Sequence, residues 1–159
     1  MIRSAALSLL LALAIPADAW ATAARAVCPP LPPASGLRWL HQQGPDFELC
    51  YAGRGPIDQN DPDREAAFSV YLGNFSGFDR RPRPGGEIGR VGRFPVLWYA
   101  ANRHRSRDDR PRNPYARETL IVLPTPKRAY ARTVHIWINA RSFSELDDSL
   151  RILSRVQFE

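Results

Sequence analysis

Two neighbouring stretches near the end of the chain decide the fold: Thr133–Asn139 (TVHIWIN) and residues 142–153 (SFSELDDSLRIL). In the first, Val134, Ile136 and Ile138 alternate with Thr133, His135 and Trp137, the period of a strand. In the second, Ser142 is followed three residues later by Glu145, the signature of a capping box. Phe143, Leu146, Leu150 and Leu153 then recur at helical spacing, with Asp147, Asp148, Arg151 and Arg155 on the polar side. Asp147 and Arg151 add a favourable i,i+4 pair. A clean strand that runs into an amphipathic helix calls for a sheet whose face the helix can cover.

Working outward, residues 119–123 (TLIVL) form a nearly continuous apolar run, read as the most buried strand. Residues 94–100 place Phe94, Val96 and Trp98 on one face, with Trp98 anchoring the core and Pro95 indicating an edge or a bulge. Residues 67–72 (AFSVYL) and 46–52 (DFELCYA) alternate in the same way. Residues 35–43 (SGLRWLHQQ) suggest a short helix capped by Ser35 and stopped by Gly44-Pro45. Residues 53–64, 73–89 and 102–117 are rich in Gly, Pro, Asn, Asp or Arg and read as connections. Strands first and a helix last make an α+β domain: a mainly antiparallel sheet of about five strands covered by a C-terminal amphipathic helix. There is no internal repeat.

The chain has 159 residues and a formal net charge of +6. That length accommodates one ordinary domain. At 44% hydrophobic and 24% charged, the chain is neither wholly disordered nor a multi-span membrane protein. Residues 1–23 read as a secretory signal peptide of the general type: Arg3, an apolar core over 5–17, and small-x-small steps from Ala17 to Ala23. That core is too short for the ~20 residues that cross a bilayer. Arg25-Ala26-Val27 before Cys28 is no lipobox, and Arg3 has no twin. Residues 24–34 form a Pro-rich leader, and residues 35–159 one domain. Delivery to a periplasm or the exterior follows, with no transmembrane segment after cleavage. In an oxidising compartment Cys28 and Cys50, the two Cys of the chain, pair as a disulfide.

Only one of the 22 basic residues is Lys, and 11 of the 21 Arg fall between positions 80 and 117. Arg80, Arg81, Arg83, Arg90 and Arg93 form one group, and Arg103, Arg105, Arg107, Arg110, Arg112 and Arg117 another; the first three of the one and the first five of the other are the anion-binding candidates. Guanidinium forks match phosphate and carboxylate, so two such groups could make an anion-binding face for an envelope component. A solvated loop whose Arg content follows codon usage explains the same residues. No nucleic-acid motif accompanies them.

His41, His104 and His135 are too scattered for a zinc site, and no cofactor motif is present. The hydrolase signatures G-x-S-x-G, S-x-x-K and H-E-x-x-H are absent. His135 with Glu118 could form an acid–base pair if both line one cleft, against the alternative of a half-exposed sheet histidine. Tyr71, Tyr99 and Trp137 fall on the strand faces opposite the core and are the exposed aromatic candidates. Three readings follow: a non-catalytic binding or envelope-structural domain, an anion-binding module, and a small periplasmic enzyme with an unassigned reaction.

The early Phe47-x-Leu49 strand, and the closing sequence of strand, amphipathic helix and apolar exit (Val156-Gln157-Phe158), resemble the PsbP-like domains of exported proteins. The resemblance implies an α/β sandwich layout over about half the chain and carries no reaction with it.

Overall fold

The computed structural model describes residues 27–74, 76–78, 80, 84–101, 113–123 and 132–158. The signal-peptide stretch lies outside them, as do seven of the eight anion-binding candidates. Among the described residues seven strands make one sheet: β1 (Arg38–Gln43), β2 (Phe47–Gly53), β3 (Phe68–Gly73), β4 (Glu87–Val91), β5 (Phe94–Ala100), β6 (Ala116–Val122) and β7 (Thr133–Asn139). Their spatial order is β1-β2-β3-β7-β6-β5-β4, and every neighbouring pair is antiparallel. A short helix α1 (Pro62–Glu65) precedes β3, and α2 (Phe143–Leu153) follows β7. The expected α+β domain with a C-terminal helix is therefore present. No helix among the described residues is long and apolar enough to cross a membrane.

The sheet has seven strands instead of about five, and both additional ones correct the sequence reading. Residues 38–43 are strand, not helix. Their alternation puts Trp39 against the core, and the hairpin with β2 runs from Arg38↔Gly53 to Gln43↔Glu48. Gly44-Pro45, read as a helix stop, is the turn of that hairpin, closed by Gly44 N–H donating to Phe47 O at 2.9 Å. Tertiary pairing here overrides a helix-compatible local sequence. The second addition, β4, lies in the Gly-rich connection. At Gly89 a Cβ would meet the Trp98 indole at 2.6 Å, so the glycine that hides the strand pattern makes room for the core tryptophan.

Val70, Val134, Ile136, Ile138 and Trp98 on one face of the sheet form the core with Leu146 and Leu153 of α2. Val156 and Phe158 beyond the helix complete it. Ser142 Oγ accepts from the Glu145 N–H at 3.2 Å, as the capping pattern requires, while Glu145 Oε2 accepts from the Arg141 N–H at 2.7 Å. Phe143, expected on the apolar stripe, is instead 71% exposed, because it occupies the first turn before the helix has descended onto the sheet. β3 and β7, not the 119–123 run, are the most buried strands, since they sit centrally with both faces covered. Pro95 lies where β5 pairs only with β4, the β5–β6 ladder being confined to Tyr99 and Ala100. Cys28 and Cys50 are joined, with their Cα atoms 5.8 Å apart. The bond fastens the leader to β2, and Trp39 Nε1 donates to Pro29 O at 2.8 Å beside it.

Candidate functional site

The sheet face opposite α2 carries the polar chemistry. Alternation along β7 turns His135 and Trp137 to this side while Val134, Ile136 and Ile138 enter the core. The register then assembles a row across five strands: Tyr51↔Ser69↔Trp137↔Glu118↔Tyr99. The next row along brings Leu49, Tyr71, His135 and Leu120 together. His135 Nε2 lies 3.1 Å from Glu118 Oε2, diagonally across β6 and β7.

The two residues named from sequence as an acid–base pair are thus in hydrogen-bond contact. His135 is not the half-exposed residue of the alternative reading, for it is 1% exposed and Glu118 5%. Aromatic rings enclose the imidazole. Phe78 meets it edge-on at 5.3 Å between centroids, and Trp137 lies 5.4 Å away. Tyr51 contacts Trp137 at 6.4 Å in a T-shaped arrangement, and Phe47 stacks on Tyr71 at 5.5 Å. Tyr71 and Trp137, expected as exposed recognition residues, are 8% and 4% exposed. They pack with Tyr51 and Ala66 in a second cluster, against Leu40, Phe47, Leu49 and Ile57. Short helix α1 contributes to the cover. Asp63 Oδ1 accepts from Trp137 Nε1 at 2.7 Å and from Ser69 Oγ at 3.2 Å, an anionic acceptor binding two neutral donors.

The arginines are distributed differently from the sequence expectation. Of the anion-binding candidates only Arg80 is described, and it is exposed. Arg81, Arg83, Arg103, Arg105, Arg107, Arg110 and Arg112 lie outside the described residues, as does His104. Neighbouring arginines are occupied locally. Arg90 Nε donates to Gly92 O at 3.0 Å, and Arg93 sits over the Phe94 ring at 5.1 Å. Arg117 grips the Glu87 carboxylate, with Nη2 at 2.8 Å, and also donates to Pro114 O at 2.7 Å. His41 meets Glu48 at 2.6 Å on the edge hairpin.

Sequence reasoning missed Asp63. The signal was the Asp61-Pro62 pair, since proline is favoured in the first turn of a helix. It missed as well that Arg54, Arg64 and Arg141 converge at one end of the sheet. Each belongs to a different segment, so no spacing connects them. No known family model, curated protein or solved structure matches this chain.

Proposed function

We propose that the protein is an exported, disulfide-stapled domain that works by binding within the cell envelope and not by turnover. The observation that supports this reading is the enclosure of His135 and Glu118. A general base must come within about 3 Å of the proton it takes, and a pair at 1% and 5% exposure gives a substrate no approach. In this reading the pair fixes the register of β6 against β7, a specificity role for a buried polar contact. The disulfide is in keeping with an oxidising compartment.

Carbethoxylation of histidine by diethyl pyrocarbonate tests the enclosure. In the native chain from residue 24, His41, whose side chain is 37% exposed, reacts, and His135 does so only after unfolding. Reaction of His135 in the folded protein at the rate of His41 overturns the non-catalytic reading. Sedimentation with phosphatidylglycerol vesicles, lipopolysaccharide and isolated cell walls at low salt tests the envelope role. Binding to at least one is expected, and binding to none removes it.

A further inference from the structure

At one end of the sheet, where β2 and β7 finish and α1 and α2 begin, lies a pocket of about 350 Å³. Leu37, Ala66 and Ala140 line its buried side. Arg54, Arg64 and Arg141 stand around it, one following β2, one in α1 and one between β7 and α2. Backbone carbonyls steer two of them. Arg54 Nη1 donates to Ser35 O at 3.3 Å, and Arg141 Nη2 to Arg64 O at 3.0 Å. Among the described residues no ion pair joins any of the three to a carboxylate.

Three acids share the lining, and each has a partner other than these guanidinium groups. Glu145 Oε2 accepts from the Arg141 N–H at 2.7 Å and Glu65 Oε2 from the Asp58 N–H at 2.9 Å. Asp148 is held by Arg151 at 2.5 Å. The result is three guanidinium groups over an apolar floor, with Glu65, Glu145 and Asp148 in the same lining but none of them in an ion pair with the three. Such forks hold carboxylate or phosphate oxygens two at a time. The volume falls in the range of small-molecule sites, about 300–1,000 Å³.

We propose that this pocket binds a small organic anion. Its carboxylate or phosphate head is held by Arg54, Arg64 and Arg141, and its short apolar body rests on Leu37, Ala66 and Ala140. A wider pocket of about 610 Å³ adjoins it, sharing Arg64, Asn139 and Arg141 and adding Asp61, Asp63 and Asn113, so its polar and acidic lining confines the apolar body to the first pocket. The assignment rests on the binding reading above and gives it a site and a ligand class.

The experiment titrates octanoate and octyl phosphate into the chain from residue 24 while recording arginine Nε–H signals by NMR. The shifts are expected at Arg54, Arg64 and Arg141. The double variant Arg64→Gln/Arg141→Gln weakens binding about tenfold or more, whereas Arg155→Gln, at an exposed site outside the pocket, leaves it unchanged. Inorganic phosphate, which has the head without the body, binds about tenfold more weakly than its octyl ester. All three arginines are exposed, which keeps folding out of the comparison. Signals that move only elsewhere, equal affinity in the double variant, equal affinity for inorganic phosphate, or no saturable binding would each overturn the proposal. Failure here leaves the histidine-protection result untouched, and a reactive His135 leaves this titration untouched, so the two readings fail separately.

Discussion

Trp137 donates its indole N–H to Asp63 Oδ1 at 2.7 Å across 74 positions of sequence, and Ser69 Oγ reaches the same oxygen at 3.2 Å. One carboxylate oxygen thus joins the short helix α1 to two central strands. Asp63→Ala leaves a buried indole donor without that acceptor, a loss of about 1–3 kcal/mol for a hydrogen bond to a charged group. Urea unfolding should show a lower midpoint with an unchanged m-value, and Trp fluorescence should shift as α1 loosens.

The His135–Glu118 contact makes a different demand, because both members are enclosed. Removing one partner from a buried pair costs about 3–5 kcal/mol, whereas replacing both by apolar groups costs much less. Glu118→Leu is therefore expected to destabilise strongly, and Glu118→Leu/His135→Leu to recover most of the loss. A double-mutant cycle in urea measures the coupling. Additive losses would show that the two side chains do not depend on each other.

Reduction of Cys28–Cys50 opens a loop with a sequence separation of 22. The chain-entropy model puts its contribution at about 3 kcal/mol. The expected outcome is a fall of that order in unfolding free energy with dithiothreitol or in Cys28→Ser/Cys50→Ser. Protease cutting in the leader should accompany it, since the bridge, Leu31 packing and the Trp39–Pro29 bond hold it down.

Gly92 turns β4 into β5 with φ +51°, and a Cβ there would run into the Val156 carbonyl. Its N–H donates to Leu153 O at 3.0 Å, so the hairpin and the end of α2 are locked backbone to backbone. Gly92→Ala adds an αL penalty of about 1–2 kcal/mol to this clash. A lower Tm, with loss of amide protection at Gly92 and Val156, is the expected signature.

Much of this architecture was legible in local sequence where one signal dominates. Residues 133–139 alternate without interruption, and Ser142-x-x-Glu145 marks the helix start, so β7 and α2 emerge directly. The disulfide follows from the two cysteines once export is assumed. β1 stayed hidden because Trp39, Leu40 and the Gly44-Pro45 stop suit a helix as well as a strand, and only pairing with β2 decides between them. β4 stayed hidden because its packing needs Gly89 beneath Trp98, and glycine reads as a break. The His135–Glu118 contact could be suspected from face alternation, but its enclosure could not. Exposure depends on Phe78, which arrives from a distant part of the chain, as well as on the neighbouring Trp137. For the same reason Arg54, Arg64 and Arg141 left no trace as a group.

The position of β7 in the sheet order also sets the sequence of assembly. β1–β3 form one antiparallel meander and β4–β6 another, and β7 lies between them. Until residues 133–139 are available, β3 and β6 each present an open row of backbone donors and acceptors. These are bare edges of the kind that recruit foreign strands. The closing contacts are also far apart in sequence, with Tyr71 opposite His135, which slows folding. A chain that emerges from its N-terminus thus remains a pair of incomplete sheets until residues 133–139 follow. β7 and α2 act as the fastener that commits both halves to one fold at once.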